Sequence, residues 1–75
     1  MNRSEMAFKL TPRESQIVDL LLDGAGNKEI ADKLKIKPRT VKAYFHKMFI
    51  RAGITDGIKR VKLAVMIYRE RNGLE

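Results

Sequence analysis

Apolar residues recur at helical spacing in four stretches of the chain, with glycine or proline in the breaks between them. The first stretch opens on Thr11-Pro12-Arg13-Glu14, a capping box with proline at the first helical position. Ile17, Val18, Leu20, Leu21 and Leu22 then cover more than half the circumference of a helix. That width predicts contact with several neighbouring helices. The pattern ends near Asp23, where Gly24 supplies a left-handed residue to stop it. A second, narrower face of Ile30, Ala31 and Leu34 follows Asn27, which reads as the cap of a helix over 27–34. Ala31 is small enough for a close helix crossing, and Ile36 plugs the core from the turn.

The third stretch starts at Pro38 and runs to about residue 52. Val41, Phe45, Met48 and Ala52 form its inward stripe, with Phe49 beside it. Arg39, Lys42, Ala43, His46 and Ile50 lie opposite, and Thr40, Tyr44, Lys47 and Arg51 form a flank. Gly53 ends this helix as Gly24 ends the first. A fourth helix is expected over 57–71 with Asp56 as its cap. It carries two apolar stripes: Ile58, Val61, Val65 and Tyr68, and Leu63, Met66 and Ile67. One stripe packs inside, and the other implies a partner helix; Leu63, Met66 and Ile67 are the expected dimer interface. With no strand pattern and no repeat, the fold class is all-α, a four-helix (tetrahelical) domain over 11–71. Residues 1–10 read as a flexible leader from which Phe8 and Leu10 fold back on the core. Residues 72–75 read as a tail, and Leu74-Glu75 is compatible with a tag junction.

A chain of 75 residues buries only roughly 60% of its unfolded surface, leaving little material for a deep substrate cavity. Cysteine is absent and histidine occurs once, so neither a disulfide framework nor a thiolate or multi-histidine metal site is available, and no cofactor is expected. No apolar run approaches the roughly 20 residues needed to span a bilayer, and the first ten residues lack a signal-peptide core. A reducing, cytoplasmic location with no membrane and no small-molecule ligand is the expectation. Charge changes the picture most. The formal net charge is +7, and between Lys28 and Arg51 eight cations face only Glu29 and Asp32. Nearly all the excess therefore sits on the second and third stretches. A local field of this kind attracts a polyanion.

The motifs Leu10-Thr11-Pro12-Arg13-Glu14, Asn27-Lys28-Glu29-Ile30-Ala31 and Thr40-Val41-Lys42, in this order, resemble the LuxR-type (GerE-like) helix-turn-helix domain of bacterial transcription regulators. The resemblance covers roughly residues 10–68. It implies sequence-specific binding of double-stranded DNA, with helix 38–52 in the major groove and dimerisation through the last helix. It also implies a homodimer on DNA, with RNA polymerase as a further partner; with no cysteine, one histidine and no glycine-rich phosphate loop, no enzymatic role is expected. Lys42 matches the motif lysine that faces DNA, where it reaches guanine O6/N7 or a phosphate. Ala43 matches a base-facing position at which a methyl touches thymine, and His46, one turn on, donates to a base edge or a phosphate. Asn27, Lys28, Lys37, Arg39, Thr40, Lys47 and Arg51 are expected on the DNA backbone, where contacts position the protein without reading sequence. Tyr44 is expected to half-bury its ring with the hydroxyl toward phosphate.

Three positions depart from the family pattern. Lys35 stands where the turn between the second and third helices usually has glycine or a small polar residue. Lys37 stands at an N-cap that is commonly serine, and Ala52 replaces a larger apolar residue. A non-glycine left-handed residue costs about 1 kcal/mol, and a missing capping oxygen costs about the same. The alternative reading is a basic helical module for an acidic protein or membrane surface. It accounts for the charge but not for the capping box or the ordered motifs. Salt-sensitive preference for one duplex over random duplex separates the two.

Overall fold

The computed structural model describes residues 9–73. Phe8, most of the expected leader and the Leu74-Glu75 junction lie outside the described residues. Among those described there are four helices and no strand: α1 (Pro12–Leu22), α2 (Asn27–Leu34), α3 (Pro38–Arg51) and α4 (Lys59–Arg71).

The start of α1 follows from its capping box. The Glu14 amide donates to Thr11 Oγ1 at 3.2 Å, and the Thr11 amide donates to Glu14 Oε1 at 3.0 Å. Gly24, at φ +89°, closes the helix: its amide bonds Leu21 O and the Ala25 amide bonds Leu20 O, each at 2.9 Å. Gly53 closes α3 in the same manner at φ +72°, with the Ile54 amide bonded to Phe49 O at 2.9 Å. No glycine is present where α2 ends, and Lys35 itself takes the left-handed conformation at φ 60°, ψ 42°. Its geometry lets the Ile36 amide reach Ala31 O at 3.0 Å and turns Ile36 onto the core.

Two expected caps are corrected. Gly26, not Asn27, occupies the N-cap of α2, so Asn27 is the first helical residue and makes no cap bond. The last helix begins at Lys59 rather than residue 57, and its N-cap is Ile58 with no side-chain cap bond. Asp56 is drawn away instead to an ion pair with Lys62 at 2.9 Å.

The core is a contiguous cluster drawn from every helix: Ile17 and Val18 of α1, Ile30 and Ala31 of α2, Val41, Phe45 and Met48 of α3, and Leu63 and Ile67 of α4. The last two correct the sequence-based assignment of α4. Leu63 is 0% and Ile67 3% exposed, and Met66 packs half-buried against the same cluster, so these residues face inward rather than toward a partner. The stripe left outside is Ile58, Val61, Val65 and Tyr68. Physical reasons favour this choice. Within the helix, leucine, isoleucine and methionine bring more apolar area to the core than the two valines of the other stripe, whose Ile58 only caps the helix, and a tyrosine hydroxyl favours the solvent side. Among the described residues, no helix is long and apolar enough to cross a membrane.

Candidate nucleic-acid interface

Burial of α3 fixes what it presents. Val41, Phe45 and Met48 are fully or nearly fully buried, at helical spacing i, i+4 and i+7. The opposite side therefore turns outward, and Arg39, Lys42, Ala43, His46 and Lys47 are all exposed. Ile50 continues that face at 65% exposure. No acidic residue occurs anywhere on the helix. Thr40 and Tyr44 are half-buried on the flank, and the Tyr44 ring packs against the core. At the N-terminus Lys37 is exposed and gives no side-chain cap, so the first turn of α3 lacks a capping oxygen.

Asn27 and Lys28 form the first turn of α2, Lys28 exposed and Asn27 half-buried. An open groove of about 480 Å³ runs between this turn, α3 and the start of α4. Asn27, Lys42 and His46 line it together, over a floor that includes Phe45, Phe49 and Ile58. Arg39, Ala43 and Lys47 lie on the exposed face outside that lining.

Arg51 is a correction. Its Nη1 donates to Glu14 Oε2 at 2.6 Å, and its Nη2 donates to Glu14 Oε1 at 2.9 Å and to the Lys9 carbonyl at 2.8 Å. The guanidinium fork is thus committed to a carboxylate inside the protein rather than offered to phosphate. The cause is Glu14, which the capping box holds at 4% exposure and which needs a cation there. The Arg51 bond is the largest influence on the Glu14 carboxyl and holds its pKa below the ordinary 4.5.

Two cations of the groove, Lys59 and Arg60 at the start of α4, are absent from the sequence-based site. The Arg60 guanidinium stands 4.2 Å from the centroid of the Phe45 ring. Phe45 is stacked in turn with Phe49, centroids 6.0 Å apart at 22°. Burial lowers the Arg60 pKa from its ordinary value, although arginine remains charged at any neutral pH. A sequence signal existed: Arg60 precedes Leu63 and Ile67 by three and seven residues, in register with the buried stripe. A cation in that register needs something to face.

The arrangement is a surface for binding an anion. It offers exposed cations and amide donors on an acid-free helix beside a groove with an aromatic floor. Among the described residues, no group of His, Cys, Asp or Glu side chains could hold a metal ion.

Residues 9–67 match the family described as bacterial regulatory proteins, luxR family. The chain is 36% identical over 62 residues to the response regulator Rre1 of Synechocystis, covering 83% of this chain and 27% of that protein. It is 38% identical over 63 residues to the nitrate/nitrite response regulator protein NarL of Escherichia coli, covering 84% of this chain and 28% of NarL. It is also 37% identical over 57 residues to YgeK of Escherichia coli, an uncharacterized response regulatory protein, covering 76% of this chain and 39% of YgeK. The chain thus spans about a quarter to two fifths of the length of these relatives. No solved structure matches it at a significant level.

Proposed function

The chain belongs to the luxR family of bacterial regulatory proteins, a helix-turn-helix family that binds DNA in transcription regulation, and on that premise we propose that α3 enters the major groove of a duplex and that two copies pair through α4. The observation that carries this reading is the face of α3. Its apolar stripe is buried, while Arg39, Lys42, Ala43, His46 and Lys47 stand exposed on a helix without an acid. Lys42 and His46 read base edges, and Ala43 contacts a thymine methyl. Asn27, Lys28, Lys37, Arg39, Thr40 and Lys47 hold phosphates on either wall of the groove, which sets register without specifying sequence. Arg51 has no part in this contact, because Glu14 holds it. Pairing uses the exposed α4 stripe of Val61, Val65 and Tyr68.

Selection of bound duplexes from a random pool tests the reading. It is expected to return a two-fold symmetric motif with half-sites about one helical turn apart. Affinity should fall steeply with salt, as counterions released from each contacted phosphate require. A pool that yields no enriched sequence, or binding indifferent to salt, overturns it. Within the enriched duplex, Lys42→Ala should cost about 1–3 kcal/mol and relax preference at the base pair it reads. Unchanged affinity and selectivity would remove Lys42 from the base contacts.

A further inference from the structure

Two buried polar atoms on the same groove have no hydrogen-bond partner, and they are chemically complementary. One is Oδ1 of Asn27, an acceptor; the other is Nη2 of Arg60, a donor. Both side chains line the groove that Lys42 and His46 also line. Buried polar groups without a partner are rare, and a donor and an acceptor left open in one groove call for an explanation. The Arg60 guanidinium cannot turn freely toward solvent, because it is seated 4.2 Å over the Phe45 ring. The Asn27 amide is planar, so when its oxygen is buried its nitrogen occupies the other branch. That nitrogen is the donor left for a ligand in the groove, which Asn27 lines.

We propose that Arg60 is a positioning residue for DNA binding: it donates to Asn27 Oδ1 when a backbone phosphate docks on Asn27 Nδ2, so that the arginine charge is relayed through the amide to the DNA. The proposal rests on the DNA-binding reading above and adds a residue of α4 to it. In the free protein both atoms are buried and unpaired, in two residues that line one groove. Docking of a phosphate draws the amide N–H outward and makes the carbonyl oxygen a better acceptor. The inner bond to Arg60 then strengthens the outer bond to phosphate, as in any chain of polarised hydrogen bonds. The phosphate is that of double-stranded DNA, because the groove opens beside the exposed face of α3. No covalent step is involved.

The experiment is a double-mutant cycle on the whole chain with a fluorescent duplex of mixed sequence, since a phosphate contact is independent of sequence. Arg60→Gln should weaken binding by roughly ten-fold in the native background and by less than about two-fold beside Asn27→Ala. Arg60→Lys keeps the charge and the ring contact but not the planar fork. It should stay folded and still lose affinity, which keeps the test open if Arg60→Gln does not fold. A second readout is the Asn27 side-chain amide proton in NMR, expected to move downfield when duplex is added to the native chain and to move less in Arg60→Lys. Native affinity in both Arg60 variants overturns the proposal, and so does an equal loss with and without Asn27, which would make Arg60 an independent contact. A native chain that binds no duplex at all overturns the DNA-binding reading and this relay with it, an outcome distinct from binding that ignores Arg60.

Discussion

At the scale of single residues, the turn between α2 and α3 carries two unfavourable local features. Lys35 is the one non-glycine residue at positive φ among those described, and Lys37 caps α3 without a side-chain acceptor. Each departure costs about 1 kcal/mol on its own. Both residues are exposed cations, so their side chains are available to phosphate. Lys37→Ser should therefore act in opposite directions on two measurements. A serine hydroxyl accepts from the first turn of α3 and stabilises the domain by about 0.5–1 kcal/mol in denaturant unfolding. Removal of the cation should reduce DNA affinity and lower the slope of log affinity against log salt by about one. A serine variant that gains stability and keeps its full salt slope would show that Lys37 meets no phosphate. Lys35→Gly should also stabilise the domain, by no more than about 1 kcal/mol. Glycine relieves the left-handed strain but adds freedom to the unfolded chain.

Between elements, the Glu14–Arg51 pair ties the start of α1 to the end of α3 across 37 positions of sequence. It gives stability a pH dependence. The Glu14 pKa lies below 4.5 in the folded protein, chiefly because of the Arg51 hydrogen bond. The unfolded chain therefore binds the proton more readily, and the contribution of this group is complete above its unfolded pKa. It is lost as pH falls from about 4.5 through the lower folded value. Glu14→Gln should make unfolding free energy less dependent on pH in that acid range and cost about 1–2 kcal/mol near neutrality, discounted because Arg51 is itself partly exposed. An unchanged acid profile would mean that Glu14 titrates normally. This pair also shows where sequence reading reached and where it stopped. The capping box, the glycine stops and the buried stripe of α3 were legible, because each is a local pattern along the chain. The stripes of α4 were legible as two faces, but their assignment was reversed: periodicity finds a face and cannot say which neighbour covers it. Glu14 and Arg60 were missed as inward charges although both fall in register with buried residues, Ile17 and Val18 for one and Leu63 and Ile67 for the other. Their partners, Arg51 and the Phe45 ring, are far away in sequence, so only the folded structure brings them together.

For the molecule as a whole, the exposed side of α4 and the net charge pull against each other. Val61, Val65 and Tyr68 are 53%, 42% and 56% exposed, a contiguous apolar stripe on a chain of only 75 residues. Beside it, Leu22 and Ala64 help line a shallow depression of about 300 Å³. Burial of this stripe against a second copy is favourable at roughly 25 cal/mol per Å². Each copy nevertheless carries a formal charge of +7, so two copies repel unless something neutralises them. DNA phosphates do so at the moment of binding, and salt does so in free solution. Two opposite salt dependences follow. Self-association without DNA, measured by sedimentation, should strengthen as salt rises, while affinity for duplex weakens. Val65→Glu should abolish self-association at every salt concentration and reduce binding to a two-half-site duplex to that of a single half-site, with the thermal unfolding transition retained. Leu63→Glu should instead abolish that transition, because it places an unpaired charge in the core. If Val65→Glu still binds both half-sites cooperatively, the exposed α4 stripe is not the pairing surface. If Leu63→Glu remains folded, the inward assignment of α4 is wrong.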